Sequence, residues 1–436
     1  MDKTDMQGFF ADLATLDKEK YILVDYYFES LAEPHETAAH LCQEMSTVQW
    51  HRVGTVEDFR PEFGAKTVAL SNLRHIDQPG CPQLARLMGW NGGPVSACEI
   101  KIAYPFLNFG TDIPNLLTAF CGEGVMHAPH ICAIRWLDIH FPDSFLTAWQ
   151  GPQFGVQGLR EMLDVYGRPL FFGVIKPNIG LAPNAYAQIA YEAWLGGLDV
   201  AMDDELVADA PWSPLQERCA SLGSLRRKAE TITGKKKIFQ ANITAEVDRL
   251  ANLHDLAVAN GANAVMLNSM TTGLSAVRVL RKRASVPMVS HFDLYGAMTQ
   301  IPFHGVREKV FIKLQRMAGF DAILFPGFDA RMKSSREDVL ENTRACLEPL
   351  GNLKPALPIP AGSQWAGSLP ELYQALGTID FAIVPGRGVF DHPRGPEGGA
   401  RSLHQGWEAV LKGISIENYA QSNEDLKLAV AARKGG

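Results

Sequence analysis

Residues that can carry acid–base chemistry stand directly after apolar runs in the second half of the chain. Lys176 follows FFGVI, Asp204 and Glu205 end LDVAMDDE, and His291 ends PMVSH. A lysine can act as base, acid or amine nucleophile, a histidine can shuttle protons near neutral pH, and crowded carboxylates can hold Mg²⁺. Each group also has a structural alternative: a rim lysine in solvent, carboxylates that pair with Arg or begin a helix, or a hydrogen-bonded histidine. The residue types favour proton transfer.

Two glycine-containing turns follow later apolar runs and favour anion binding. Gly362 and Ser363 end ALPIPAGS, and Gly386, Arg387 and Gly388 end FAIVPGRG. Glycine lets backbone N–H groups approach an anion, and Arg387 can add a bidentate contact. An ordinary glycine turn is the alternative in each case. Together the turns predict a small phosphorylated substrate.

An apolar run followed by an amphipathic segment occurs eight times and would position these residues. Such runs suit parallel strands covered on both faces, and eight strand–helix units predict a (β/α)8 TIM barrel, with a doubly wound open sheet as the alternative. Working residues of barrels lie at the carboxyl ends of strands, so we expect the residues above to converge. The runs are FFGVIKP (171–177), LDVAMDDE (198–205), KIFQANIT (237–244), AVMLN (264–268), PMVSHFD (287–293), AILFPG (322–327), ALPIPAGS (356–363) and FAIVPGRG (381–388).

Helix signals fill the intervals between these runs. After the first run, apolar residues from Tyr186 to Trp194 fall on one helical face. Ser335 and Asp338 predict a capped helix start, and Ser368 with Glu371 predicts a capping box.

The first 150 residues follow a different pattern. Strands are predicted at 21–30, 96–105 and 131–141, and helices at 36–46 and 112–120. We therefore predict a smaller α+β domain over residues 1–150 and the barrel over 151–436, with the boundary near the segment GPQFG.

Composition excludes several classes of protein. The chain has 436 residues, and 41 Lys and Arg against 48 Asp and Glu give a net charge of −7. The absence of a basic block argues against nucleic-acid binding, and no apolar stretch approaches the ~18 residues of a membrane span. The N-terminal MDKTDMQGFF lacks a signal-peptide pattern, and seven scattered Cys favour reduced thiols in a cytoplasm over disulfides or structural zinc.

Two segments, FFGVIKPNIGLAP (171–183) and GGLDVAMDDE (196–205), resemble the large subunit of ribulose-bisphosphate carboxylase/oxygenase (RuBisCO). The family pattern there is G-x-x-I-K-P-K-x-G-L, then G-G-L-D-x-x-K-D-D-E. HLCQEMSTVQW (40–50), IPNLLTAFCGE (113–123) and VPGRGVFDHPRGPEGGA (384–400) resemble further family segments, so the resemblance covers essentially the whole chain. It implies a ferredoxin-like domain before the barrel, and a homodimer without a small subunit whose active site lies at the subunit interface.

The resemblance also implies roles for single residues. Lys176 matches the family's proton-handling lysine, His291 a histidine near the reacting carbons, and Asp204 and Glu205 its two carboxylate metal ligands. Gly362 and Gly386 match phosphate-loop glycines, next to Ser363, Arg387 and Gly388. The residues that a partner subunit would give to the site are Glu44, Trp50 and Asn115.

The departures from the family pattern are more informative. Met202 stands where the family has the lysine that takes up CO₂ as a carbamate and becomes the third metal ligand. A thioether cannot be carbamylated and is a poor Mg²⁺ ligand, so we expect no carbamylated lysine and at most weakly held Mg²⁺, with Asp203 as a third ligand if the strand twists. Asn178, here a substrate-binding candidate, replaces a lysine of the family. The family's mobile lysine loop is missing, and Arg331 or Lys333 partly substitutes for it. The remaining departures are Phe292 for Arg, Leu324 for His, Gln49 for Thr and Ala361 for Ser.

These departures predict a RuBisCO-like protein of the non-carboxylating group, form IV, closest to the branch of phototrophic bacteria. Three functions stay open. The first is enolisation, tautomerisation or isomerisation of a small phosphorylated sugar-like ketone, linked to sulfur metabolism through methylthio-sugars, with Lys176 as principal base and His291 assisting. The second is decarboxylation or transcarboxylation of a phosphorylated sugar acid. The third is a non-catalytic scaffold in sulfur or oxidative-stress physiology, whose pocket Phe292, Leu324 and Phe325 would fill.

Overall fold

Two β-sheets organise the chain in a computed structural model that describes residues 6–48 and 58–434. The strands in those ranges are β1 Tyr21–Ser30, β2 Lys66–Ile76, β3 Val95–Pro105, β4 Ile131–His140, β5 Leu170–Val174, β6 Val200–Met202, β7 Ile238–Asn242, β8 Ala264–Asn268, β9 Met288–His291, β10 Gly305–Val306, β11 Ala322–Pro326, β12 Leu357–Ala361 and β13 Ala382–Ile383.

Helices connect most of these strands. The α-helices are Pro34–Glu44, Arg60–Phe63, Pro82–Leu87, Ile113–Cys121, Glu123–His127, Asp143–Leu146, Gly155–Leu163, Pro183–Leu195, Leu215–Thr233, Val247–Ala259, Ser269–Thr272, Leu274–Arg281, Tyr295–Thr299, Glu308–Ala318, Arg336–Leu347, Leu369–Leu376, Arg387–Phe390, Gly395–Lys412, Ile416–Ala420 and Glu424–Lys434. Short 3₁₀ helices lie at Lys18–Lys20, Phe106–Asn108, Ala330–Met332 and Ala366–Ser368. Among the described helices, none has the length and apolar character needed to cross a bilayer.

The first compact unit comprises residues 1–149, 295–314 and 350–353. Its sheet has the order β10-β4-β1-β3-β2, and β4, β1, β3 and β2 are antiparallel neighbours, which is the ferredoxin-like βαββαβ arrangement. β1 buries alternate residues, Ile22, Val24, Tyr26 and Phe28, as a half-buried strand should. The strand β2 is missing from the sequence prediction because its residues are mostly exposed and polar.

A segment from the second half of the chain belongs to this first unit. β10 pairs in parallel with β4. The Arg135 guanidinium donates hydrogen bonds to the carbonyls of Thr299 at 2.8 Å and Pro302 at 3.0 Å. Residues 295–314 and 350–353 therefore pack with the first unit although they follow residue 150 in the chain.

The second unit, residues 150–294, 315–349 and 354–436, contains the predicted parallel barrel. All eight predicted runs contain a strand, in the order β12-β11-β9-β8-β7-β6-β5-β13. Inward-pointing residues such as Phe172, Met202 and Leu324 form its core. Gln364 links the two ends of the sheet, because its side chain donates to the Pro360 carbonyl at 2.5 Å and accepts from the Val384 N–H at 2.7 Å.

The helix starts in the barrel differ in one respect from the sequence prediction. Ser335 and Asp338 form a capping box at the start of Arg336–Leu347, as expected from the pattern. The capping box predicted at Ser368 is wrong, since its hydroxyl accepts from the Trp365 N–H at 3.2 Å and does not cap Leu369–Leu376. A preceding 3₁₀ turn therefore uses the hydroxyl that the sequence pattern assigned to the helix.

Candidate active site

Lys176 and Asp204 form an ion pair at the carboxyl ends of β5 and β6. The Lys176 ammonium donates to Asp204 Oδ2. Asp204 Oδ1 accepts from Asn178 Nδ2 at 3.2 Å and from the Leu206 N–H at 3.1 Å. Burial alone would raise the pKa of Asp204, but these three donors together hold it below its usual range. Hydrogen bonds to both oxygens thus hold the Asp204 carboxylate in place.

The neighbouring Asp203 points to the other face of the strand, as side-chain alternation requires. Its carboxylate pairs with the buried Arg218, 3.1 Å from the guanidinium, and accepts from the Asn242 N–H at 3.0 Å. The expectation that Asp203 could serve as a third metal ligand is therefore wrong, because its oxygens are committed to the helix-facing side of the barrel.

His291 ends β9 beside two carboxylates. Its Nδ1 lies 3.0 Å from Asp293 Oδ2, and its Nε2 lies 3.7 Å from Glu205 Oε2. The Asn268 amide donates to the same Asp293 oxygen. Burial raises the pKa of Glu205, a protonated His291 would lower it, and the nearby Asp204 and Asp293 carboxylates add to the rise. The arrangement orients the imidazole by its Nδ1 side and directs Nε2 towards Glu205.

A cavity of about 400 Å³ joins these groups. Lys176, Glu205 and His291 line it together with Phe292 and Leu324. Phe325 is fully buried elsewhere, and Phe292 stacks on the His291 ring with centroids 4.8 Å apart. The apolar side chains expected in a closed scaffold therefore form part of the wall and leave the cavity open.

The turn Gly386–Gly388 presents the stronger candidate anion site. Gly386 precedes the short helix Arg387–Phe390, and a Cβ added to Gly386 would lie 3.6 Å from Lys176 Cε. Gly388 must be glycine, because an added Cβ would lie 2.4 Å from the Gln364 carbonyl oxygen. The exposed Arg387 guanidinium makes no hydrogen bond or ion pair to any residue in the described ranges. It also lines the cavity, so its donors are available to a ligand.

The turn at Gly362–Ser363 requires a correction. The Ser363 N–H donates to Asp329 Oδ2 at 2.6 Å, and hydrogen bonds from Ser363 hold the pKa of Asp329 well below its usual range. A carboxylate thus occupies the donor that the sequence prediction assigned to phosphate. Gly362 and Ser363 line the cavity, but Ser363 cannot offer its N–H to an anion in this arrangement.

Sequence reasoning missed one cation at the cavity. Arg433, on the helix Glu424–Lys434, donates to the Ser363 carbonyl at 2.6 Å and lines the cavity. No motif marks it, because it reaches the barrel mouth from a distant helix. With Lys176, Arg331 and Arg387, it gives the lining four basic residues against the single acid Glu205, a balance that favours an anionic ligand.

Two of the residues predicted to act from a partner subunit, Glu44 and Asn115, lie in the first unit. Glu44 is the last residue of the helix Pro34–Glu44 and is half-buried. Asn115 is exposed near the start of the helix Ile113–Cys121. Trp50 and Gln49 lie outside the described residues. Their contribution to a site stays a prediction.

Comparison with known proteins assigns both parts of the chain. Residues 10–145 match the N-terminal domain of the ribulose bisphosphate carboxylase large chain, and residues 155–432 match its catalytic domain. The chain is 52% identical over 433 residues to a ribulose bisphosphate carboxylase-like protein of Allochromatium vinosum, covering 99% of this chain and 94% of that protein. It is 30% identical over 419 residues to a 3-oxo-isoapionate-4-phosphate decarboxylase of Rhizobium rhizogenes, covering 95% and 99%.

A solved structure agrees with these sequence matches. The sulfate complex of octameric RuBisCO from Pyrococcus horikoshii has a TM-score of 0.87 and 28% identity, covering 99% of this chain and 97% of that one. The class is defined by a parallel barrel with lysine, carboxylates and histidine at its mouth, in a chain that also contains a ferredoxin-like domain. The chain belongs to the RuBisCO large-chain family, and within it is similar to the RuBisCO-like proteins.

The family generally uses Mg²⁺, which requires several oxygen ligands in near-octahedral geometry. Here Met202 is buried in the barrel core, and both Asp204 oxygens already accept hydrogen bonds. Glu205 is the one remaining carboxylate of the motif. Across residues 6–48 and 58–434, three ligand-type side chains converge only at Asp25, Asp138 and His140, in the first unit. The donor set at the barrel mouth therefore does not fit the family's metal.

Proposed function

We propose that this protein is a non-carboxylating sugar-phosphate enzyme that enolises, tautomerises or isomerises a small phosphorylated ketone. One observation carries the proposal: Lys176, His291 and Glu205 line the same 400 Å³ cavity as the Gly386–Gly388 turn. Proton-handling groups next to an anion site are the minimum needed to move a proton beside a carbonyl while a phosphate anchors the substrate. The sulfate in the related Pyrococcus horikoshii complex is in keeping with an anionic ligand.

The contacts support a division of roles between the two basic residues. An imidazole that donates Nδ1–H to Asp293 keeps the Nε2 lone pair available, so His291 can accept a proton from the carbon next to the carbonyl. Lys176 is held against the Asp204 carboxylate and, as an ammonium, has no lone pair to accept a proton. It therefore serves as the donor to the carbonyl oxygen on which negative charge develops. Lys176 as the principal base is the alternative that the family resemblance suggested.

Exchange of substrate hydrogen for solvent deuterium tests this proposal without knowledge of the product. Ribulose 5-phosphate, ribulose 1,5-bisphosphate and 5-methylthioribulose 1-phosphate would be incubated with the protein in D₂O and followed by NMR. We expect deuterium at the carbon beside the carbonyl of one of them, slowed about 10²–10⁴-fold in His291→Asn. His304→Asn is the matched control, because His304 is exposed in the first unit. Equal rates in both variants would remove His291 from the mechanism.

Decarboxylation is the second candidate, favoured by the related decarboxylase from Rhizobium rhizogenes. A 3-oxo acid phosphate would lose CO₂ as its C–C bond breaks, and the electron pair would pass to an enolate that Lys176 can stabilise. The same cavity residues would then protonate the enolate carbon. Release of CO₂ from a phosphorylated 3-oxo acid, without deuterium exchange into the ketones, would favour this reaction over enolisation.

The proposed enzyme acts as a cytoplasmic homodimer in which Glu44, Trp50 and Asn115 complete the partner's site. Light scattering at micromolar concentration is expected to give the mass of a dimer or of a larger assembly of dimers. A monomer that still binds phosphorylated ligands would contradict this part of the proposal.

A further inference from the structure

We infer that the Lys176 ammonium takes the place of the divalent cation at the barrel mouth, so that this site works without a metal. The inference rests on the proposed function, in which a cation faces the substrate's carbonyl oxygen. It goes further by assigning that cation to the protein itself. The reason lies in the donor set, which no longer provides the ligands a hard divalent cation needs.

Few metal ligands are available at the end of β6. Met202 stands at the carbamate position, is about 1% exposed and packs inside the barrel, where its thioether cannot replace an anionic oxygen. Asp203 is sealed on the opposite face by Arg218. Two of the three consecutive residues that precede Glu205 therefore cannot coordinate an ion in the cavity.

The negative charge of Asp204 needs a partner. Its side chain is only 1% exposed, and a buried carboxylate needs a counter-charge. A divalent cation would provide that charge in a metal-dependent site. Here the Lys176 ammonium provides it in direct contact, while Asn178 and the Leu206 N–H occupy the other oxygen.

Lys176 remains accessible from the cavity. Its side chain is 35% exposed and lines the cavity beside Gly386. An ammonium has three donors, and Asp204 takes one of them. The other donors can reach a ligand oxygen. Lys176 can therefore fill both roles of the absent cation, because it neutralises the carboxylate and attracts developing negative charge.

Manganese binding measured by electron paramagnetic resonance tests the inference independently of catalysis. Mn²⁺ would be titrated to about 1 mM, the range of weak oxygen sites, into wild type, Lys176→Met and Lys176→Gln. All proteins would carry Asp25→Asn to remove the candidate cluster in the first unit. Wild type is expected to show no ion at the barrel mouth. Removal of the ammonium releases Asp204, so both variants are expected to bind Mn²⁺ at least about tenfold more tightly than wild type.

Matched controls assign any signal to this site. Lys282→Met removes an exposed lysine that is not part of the cavity lining and is expected to behave as wild type. Glu205→Gln in the Lys176→Met background is expected to abolish the gained signal. Cooperative thermal unfolding would show that the variants are folded, and the two Lys176 substitutions guard against an artefact of either one.

Two results would overturn the inference. One is Mn²⁺ binding to the wild-type protein that Glu205→Gln removes. The other is no gain of binding in either Lys176 variant, because Asp204 would then not be a cation position that lysine occupies. Neither result depends on deuterium exchange, so a failure of the proposed function would be seen separately. If exchange is observed, it should persist in EDTA.

Discussion

The strands β5 and β6 have an ion pair at each end of the barrel, and the two pairs differ in what surrounds them. At the amino end, Arg168 contacts both oxygens of Asp199, at 2.6 and 2.8 Å, and the Phe171 N–H donates to the same carboxylate at 2.8 Å. At the carboxyl end, Lys176 contacts Asp204. The same pairing of charges thus occurs at both ends of one strand pair.

The amino-end pair is enclosed by further polar groups. Lys237 donates to the Leu198 carbonyl at 2.7 Å, and His404 Nε2 lies 2.9 Å from the Gly197 carbonyl. Burial would raise the pKa of Asp199, but Arg168 holds it below its usual range. The Arg168 guanidinium stacks 4.2 Å from the Phe171 ring, so little of it is available to a ligand.

The carboxyl-end pair keeps one partner open to the cavity. Lys176 is 35% exposed, whereas Arg168 is 16% exposed and its donors are bonded within the fold. An ion pair stabilises the fold where its cation is bonded within the protein, and is available for chemistry where some donors of the cation face a cavity. The difference between the ends predicts that equivalent substitutions will have different effects.

Arg168→Met is expected to give the largest change. It leaves the buried Asp199 without its main counter-charge, and breaking a buried pair in this way costs about 3–5 kcal/mol. Urea unfolding would measure the loss, with the exposed Arg227→Met as control. Lys176→Met should cost less, about 1–3 kcal/mol, because Asp204 keeps the Asn178 and Leu206 donors and water in the cavity can reach the position that the ammonium leaves. Equal losses of unfolding free energy in Arg168→Met and Lys176→Met would show that the two ion pairs contribute alike to stability.

Much of the fold followed from hydrophobic pattern alone. The eight barrel strands are buried on both faces, so each appears as an apolar run that one sequence can reveal. β2 gives no such signal, because most of its residues after Thr67 are exposed. The pairing of β10 with β4 was equally hidden, since a two-residue strand has no periodicity and its partner lies far away in the sequence.

The candidate site was predictable to the level of the strand ends and no further. Alternation along β6 separates Asp203 from Asp204, and the strand-end rule brings Lys176 and His291 to one cavity. The contact between Ser363 and Asp329 and the position of Arg433 depend on side-chain geometry across distant segments. No spacing in the sequence carries that information.

Lys237 makes the stability of the amino end depend on pH. Burial lowers its pKa from 10.5 to about 8, while the nearby Asp199 and Glu230 oppose the shift and Arg168 and Lys235 add to it. Between these two pH values the unfolded chain binds the proton and the folded chain does not, so the wild type gains stability as pH rises from 8 to 10.5. The gain is on the order of 3 kcal/mol.

The variant Lys237→Met should lose this dependence. The difference in unfolding free energy between wild type and Lys237→Met would be measured by urea unfolding at several pH values. Lys236→Met, an exposed neighbour, should follow the wild type. Parallel curves for wild type and Lys237→Met would show that Lys237 keeps an ordinary proton affinity in the fold.

Arg387→Ala tests the anion site at the carboxyl end. Loss of a hydrogen bond to a charged ligand costs about 1.5–3 kcal/mol, so the affinity for a sugar phosphate should fall about 10–100-fold. Arg331→Ala is the matched control, because Arg331 lines the same cavity but its Nε lies 3.4 Å from Asp329 Oδ2. Calorimetry at two ionic strengths would separate them. Equal losses would mean that general positive charge, and not a specific contact, holds the anion.

Asp293→Asn should give an effect that is confined to turnover. Asp293 accepts from Asn268 and contacts His291 Nδ1, so it positions the imidazole without lining the cavity. An amide there can still form hydrogen bonds but no longer requires Nδ1 to carry the proton, and orienting partners of this kind contribute about 10–100-fold. We expect kcat of deuterium exchange to fall by that factor with KM unchanged, and Asp391→Asn, outside this cavity, to change neither. A rise in KM alone would assign Asp293 to ligand binding. The carboxyl end of the barrel would then differ from the amino end by its anion-binding residues, and not by an oriented histidine.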